Sequence, residues 1–219
     1  MGIWRSLFWR AGGLLIVPGV AVAPVYALHE PAVLSSYASL TGVNEERRLK
    51  PHAGVDFSGH IGEPVMAAAD GAVSLLIDYR YGCGIGVIVS HPQFGRWTAY
   101  CHMQTGLVRV GQKVRRGETI GLVGTSGNSG NVPHVHFELC TAACSSHRDG
   151  DLAGTENPMP VVADCFDPRR VYPTDRLVLT FPVRCRSERI HEAHGAAGAD
   201  AAPAAGQEWD TGGAETPGP

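Results

Sequence analysis

The sequence predicts an all-β, antiparallel fold, and three observations lead there. Turn-forming residues are dense: 28 Gly and 15 Pro stand in 219 residues, about 20% against about 12% in average usage. The apolar runs between them are strand-length and bounded by glycines, a proline or an Asp-Gly pair. No internal stretch shows apolar residues recurring at the helical period. A 44% hydrophobic content suffices for one buried core in a chain of this length.

The elements follow in chain order. Residues 1–10 carry Arg5 and Arg10 and no acid. Residues 11–27 are apolar, twice broken by Pro18 and Pro24, and close on Val25-Tyr26-Ala27. A charged start, an apolar middle and small residues before the cut form a secretory signal pattern, with cleavage expected after Ala27. A retained anchor is the alternative, but the apolar stretch lies at the low edge of what spans a bilayer. Either way the mature chain is expected to be exported, with the periplasm preferred and no stable membrane insertion after cleavage.

Residues 28–50 form a lead-in, and the folded domain is expected over 51–186. Val65–Ala69, Asp70-Gly71 and Ala72–Ile77 predict a hairpin, since Asp-Gly suits a type I′ turn. Ile85–Ser90 and Trp97–Met103 predict two strands joined through His91–Arg96. Thr119–Val123 and His134–Leu139 follow, and Leu177–Val183 supplies a last strand. Ile190 is the last branched aliphatic residue, and from His191 to Pro219, within an expected tail of 187–219, the chain runs to Ala, Gly, Pro and acids with a lone Trp209. Such a segment cannot bury enough apolar surface to offset its ordering entropy, which predicts a tail.

Charge and cysteine content narrow the chemistry. A net charge of −3 without a basic run argues against a nucleic-acid partner, which demands a concentrated cationic face. The six cysteines, Cys83, Cys101, Cys140, Cys144, Cys165 and Cys185, are even in number, so an exported chain can pair them all, in any of 15 connectivities. Cys140 and Cys144 resemble half of a zinc knuckle, but no second pair completes it.

Three histidine-bearing sites lie on the β framework: His52-Ala-Gly-Val-Asp56, Tyr100-Cys-His102-Met, and Pro133-His134-Val-His136-Phe-Glu138. In a strand His134 and His136 share one face while Val135 and Phe137 take the other. Two imidazoles so placed can meet one metal, or one can bind metal while its neighbour contacts substrate. Glu138 shares their face, either orienting a ligand or facing solvent. Three donors from a His/Asp set with an open position define a catalytic zinc site, and nitrogen with carboxylate oxygen suits zinc better than calcium or magnesium. The residues alone thus point to an exported hydrolase.

The chain also resembles the lysostaphin-like (LytM-type) zinc endopeptidases that cut peptide cross-links in bacterial peptidoglycan. The likeness rests on ordered blocks: HAGVDF at 52–57, GEPVMAAADGAV at 62–73, TAYCHM at 98–103, VGQKVRRGETIGLVG at 110–124 and PHVHFEL at 133–139. It implies a barrel-sandwich hybrid fold with a substrate groove and one zinc ion per chain. It further implies zinc ligands at His52, Asp56 and His136, and catalytic histidines at His102 and His134 acting as base and oxyanion stabiliser. Peptidoglycan stem peptides are the implied partner. The family also contains degenerate members that activate other murein hydrolases, but all five positions here keep the required residue type. Cys101, before the middle histidine, departs from the small residue usual there. The same fold occurs in biotin- and lipoyl-carrying domains, whose Met-Lys-Met hairpin this chain lacks.

Overall fold

The computed structural model describes residues 26–144 and 152–189. Its strands are β1 (Tyr26–His29), β2 (Val33–Ser35), β3 (Val55–Ser58), β4 (Pro64–Met66), β5 (Gly71–Asp78), β6 (Ile85–His91) and β7 (Arg96–Gly106). There follow β8 (Lys113–Val114), β9 (Thr119–Val123), β10 (His134–Cys140), β11 (Thr155–Glu156), β12 (Val162–Asp164), β13 (Leu179–Thr180) and β14 (Arg186–Arg189). Among the described residues there is no α-helix. The all-β expectation holds.

One sheet of ten strands carries the fold, in the order β2-β3-β10-β7-β6-β5-β8. Strand β11 pairs with β10, and β9 bridges β7 to β4. Every pairing in this sheet is antiparallel; the small β12–β13 pair is parallel. The eleven-residue β7 pairs with β6 and β10 along its first half and with β9 along its second, and its register shifts between Met103 and Thr105. This one strand therefore joins the main sheet to the β4–β9 pair.

The predicted hairpin at Asp70-Gly71 does not form. Strand β4 pairs with β9, whereas β5 pairs with β6 and β8. Between them Ala67, Ala68 and Ala69 thread the core at 0–3% exposure. Their backbone partners lie elsewhere: Ala67 N–H donates to Glu118 O, and Ala68 O accepts from Thr180 N–H. Small side chains permit that close passage. Gly71 is required for proximity rather than turn type, because a Cβ there would stand 2.4 Å from Ser90 O. The strand expected over Leu177–Val183 shortens to Leu179–Thr180.

Residues 33–35 of the lead-in add β2 to the edge of the main sheet beside β3. At the far end, 186–189 pair with 26–29, so the first residues of the expected tail lie in a strand. The rest of the expected signal peptide (1–25) and of the tail (190–219) lies outside the described residues. The cysteines pair as Cys83–Cys101, Cys140–Cys144 and Cys165–Cys185.

The core sets the register on which the site depends. Phe57 of β3 and Phe137 of β10 are fully buried, with Tyr100 of β7 beside Phe137 at a ring-centroid distance of 5.2 Å and Phe181 edge-on to Phe57 at 5.4 Å. Such aromatic pairs contribute about 0.5–1.5 kcal/mol each beyond their burial. The Tyr100 hydroxyl accepts from Ala68 N–H at 2.8 Å and from Thr98 Oγ1 at 3.0 Å, so its burial leaves no polar atom unmatched. Sliding β10 by one residue would send Phe137 out and His136 in, which the apolar cluster forbids.

Candidate metal centre

Strand alternation delivers the first two functional side chains. Val135 and Phe137 point into the core, so His134 and His136 stand on the opposite face of β10. Across the ladder His136 faces Asp56 of β3 and Cys101 of β7. Asp56 alternates with the buried Val55 and Phe57 in the same way. His52 arrives from the turn before β3, and Gly54 makes that approach feasible. A Cβ at Gly54 would lie 2.4 Å from Phe137 O and 3.0 Å from the His136 ring.

Three donor atoms converge at this point. His52 Nε2 lies 2.8 Å from His136 Nδ1, and Asp56 Oδ1 lies 3.1 Å from the former and 2.8 Å from the latter. Each donor is held from behind. His52 Nδ1 donates to Ser36 O at 3.0 Å, His136 Nε2 donates to Glu138 Oε1 at 2.8 Å, and Asp56 Oδ2 accepts from Arg48 Nη2 at 3.0 Å. These outer bonds assign the imidazole tautomers. They leave His52 Nε2 and His136 Nδ1 as the inward-facing nitrogens. Glu138 is therefore an orienting acid, buried at 6% exposure rather than facing solvent.

Two more histidines complete the cluster. His134 donates from Nδ1 to Val132 O at 2.7 Å and brings Nε2 to 3.6 Å from Asp56 Oδ1. His102 donates from Nδ1 to Ser126 O at 2.8 Å, and its ring centroid lies 4.8 Å from that of His134. His102 has φ +63°, a left-handed conformation rare for a residue with a Cβ. The cause is a bulge: the β6–β7 register shifts between Ile85 and Val87, opposite residues 100–103. Tyr100 and Met103 both stay in the core while Cys101 and His102 both reach the functional face. The twist is pinned by His102 N–H donating to Cys83 O at 2.8 Å and by the Cys83–Cys101 disulfide.

Burial sets the charges. It drives His52, His134 and His102 below the ordinary histidine value, His102 down to about 3 with help from the neighbouring His136 and His134. His136 moves the other way: burial opposes its charge, but the hydrogen bonds to Asp56 and Glu138 prevail and push it up to about 10. Burial would likewise raise Asp56, yet the hydrogen bonds from His136 and His52 hold its carboxyl well below the usual range. Three lone-pair atoms about 3 Å apart repel one another unless a cation lies among them. Here the proton on His136 meets that requirement.

The donor set fits zinc on chemical grounds. Two imidazole nitrogens and one carboxylate oxygen, with outer hydrogen bonds to each, are the make-up of an open catalytic site. The cluster forms part of a groove of about 1100 Å³. Its walls include Leu75, Ile77 and Tyr81, the lead-in residues 42–44 and 46–50, and Gly130.

All five histidine and aspartate positions singled out in the sequence thus meet in one place. Sequence reasoning missed Arg48, Ser36 and Ser126. None carries a motif signal, since each acts through a backbone carbonyl or across a turn. The disulfide pairing was equally unreadable.

Comparison with known proteins agrees with the resemblance. Residues 50–147 match the family described as Peptidase family M23. A peptidoglycan DD-endopeptidase of Vibrio cholerae (ShyA) is 43% identical over 95 residues, 42% of this chain and 21% of that protein. The murein hydrolase activator EnvC of Escherichia coli is 38% identical over 135 residues, 62% of this chain and 29% of that protein. Among solved structures, the catalytic domain of the M23 protein EnpA from Enterococcus faecalis aligns with a TM-score of 0.44 at 28% identity, over 64% of this chain and 97% of that one. The chain covers about a fifth to a third of the curated relatives it matches first.

Proposed function

From the M23 peptidase domain that the chain carries at residues 50–147, we propose that it is a zinc-dependent endopeptidase hydrolysing peptide cross-links of bacterial peptidoglycan. The carrying observation is the convergence of His52 Nε2, Asp56 Oδ1 and His136 Nδ1 within 3.1 Å of one another beside a groove. An exported, periplasmic location accords with three disulfides among the described residues.

His52, Asp56 and His136 would hold one zinc ion, which when bound would supply a Lewis acid for the scissile carbonyl and lower the pKa of a water towards about 7. The chain's own residues handle the protons. His134 and His102 each spend Nδ1–H on a backbone carbonyl, which leaves Nε2 to accept. A ring that takes the water's proton there becomes an imidazolium able to donate to the tetrahedral oxyanion or the leaving amine. Burial holds both rings below the ordinary histidine value, so each is neutral and free to accept at Nε2. Around the groove, Arg47, Lys50 and Arg80 suit a peptide bearing free carboxylates, and Leu75 and Ile77 suit its small apolar residues.

Digestion of purified peptidoglycan by the mature chain, with and without a chelator, tests the reading. Chelator-sensitive release of cross-link peptides is expected. Absence of cleavage, together with stimulation of a separate murein hydrolase, would instead make the chain an activator like its relative from Escherichia coli.

A further inference from the structure

The carboxylate of Asp56 has two oxygens, and the structure treats them differently. Oδ1 faces His52 at 3.1 Å, His136 at 2.8 Å and His134 at 3.6 Å. Oδ2 faces away and accepts from Arg48 Nη2 at 3.0 Å. Asp56 is 1% exposed and Arg48 about a third. The arginine thus lies at the boundary between the buried carboxylate and water, with its charged head spent on the one oxygen the histidines do not use.

Arg48 is delivered by a built element. Thr41 and Arg47 form a bridge, Gly42 N–H donates to Glu46 O, and Arg48 N–H donates to Leu40 O at 2.8 Å. These bonds close residues 40–48 into a small hairpin. Glu45 sits at its tip with φ +65°. The preceding residues of the same segment hold His52 through Ser36 O and Ser35 Oγ. Residues 35–48 therefore support two of the three donors, and they lie before the segment that matches the family at 50–147.

We propose that Arg48 is a positioning residue of the metal centre: by occupying Oδ2 it confines Asp56 to a single donor oxygen and aims Oδ1 at the histidines. The inference rests on the metal reading given under Proposed function. A carboxylate free at both oxygens can rotate and chelate through both, which fills the position a catalytic site keeps open. A guanidinium hydrogen-bonded to one oxygen prevents that rotation. Electrostatics alone argues the opposite sign. A cation near a dication repels it, so removing Arg48 would tighten binding if charge were all that mattered. The direction of the change therefore separates the two accounts.

The experiment measures zinc dissociation constants by chelator competition for the wild type, Arg48→Ala and Arg48→Lys, with the visible spectrum of the cobalt(II)-loaded proteins alongside. Loss of an outer partner weakens metal binding by about 10- to 100-fold, and that is the expectation for Arg48→Ala. Its cobalt bands should lose intensity as Asp56 becomes bidentate and the coordination number rises. Arg48→Lys, which keeps one hydrogen bond and the charge, should recover part of the affinity and the wild-type spectrum. If Arg48→Ala fails to fold, Arg48→Lys and Arg48→Gln give the same reading by their order of affinity. Zinc binding by Arg48→Ala at or above wild-type strength, with an unchanged cobalt spectrum, overturns the role of Arg48. A wild type that takes up neither metal overturns the metal centre itself.

Discussion

The two histidine-bearing strands reach the same site by different means. On β10, His134 and His136 arrive by plain alternation, and the register that aims them is enforced by Val135 and Phe137 in the core. On β7, His102 arrives through a bulge, in a left-handed conformation, with Ser126, the Cys83 carbonyl and a disulfide holding it. A regular strand positions a side chain at no local cost. A bulge stores backbone strain of order 1–3 kcal/mol that surrounding contacts must offset. Two of the three donors, Asp56 and His136, thus rest on regular strands, and the His102 ring rests on the part that has to be braced.

The most severe break on the regular side is His136→Ala. It removes Nδ1 from the donor cluster, and both bound zinc and peptidoglycan cleavage should vanish. Zinc stoichiometry near one with full activity would remove His136 from the metal.

Next in size come the two rings that stand beside the donors. His134→Ala and His102→Ala should keep zinc yet lose turnover by about 10²- to 10⁴-fold, the usual contribution of a positioned proton-transfer group. Normal turnover in either variant removes that ring from the mechanism.

The brace on the β7 side can be cut without touching a histidine. Replacing Cys83 and Cys101 together by Ser should leave zinc affinity unchanged while kcat falls by about tenfold or more, because His102 loses its support. If zinc affinity and kcat fell in parallel, the distinction between the strands would fail.

Acidity provides the mildest probe, and His136 and His102 respond to it with opposite sign. In the metal-free protein His136 is raised to about 10. Its contribution to stability is complete below the unfolded value near 6.5 and is lost as pH rises towards 10. His102, lowered to about 3, destabilises the fold as pH falls from about 6.5 to about 3, since the unfolded chain takes up a proton that the native ring refuses. Thermal melts of the chelator-treated protein should fall on both flanks. Zinc uptake at neutral pH should release close to one proton, readable by calorimetry in buffers of different ionisation enthalpy. His136→Ala should abolish the alkaline flank and leave the acid one.

Much of this was legible in the residues. Strand-length runs between turn signals gave the β class. The alternation of His134, Val135, His136 and Phe137 puts two imidazoles on one face of any extended strand. The Asp70-Gly71 hairpin failed because a dipeptide that suits a turn does not specify which strands flank it. Ala67–Ala69 found better partners across the core. Glu138 was ambiguous because period-two alternation assigns a face but not its exposure; the groove walls decided that.

The sequence by itself determined which residue types are available and on which side of their strands they stand, because alternation is a local property of extended backbone. It also held the five motif positions in order, which carried the family resemblance. Only the tertiary structure decided the rest. Arg48 against Asp56, Ser36 against His52 and Ser126 against His102 are contacts between segments 8 to 24 residues apart. The three disulfides and the bulge that turns His102 outward depend on how the sheet folds over. A hydrogen bond of that kind depends on distances that exist only once the core has packed and set every register at once.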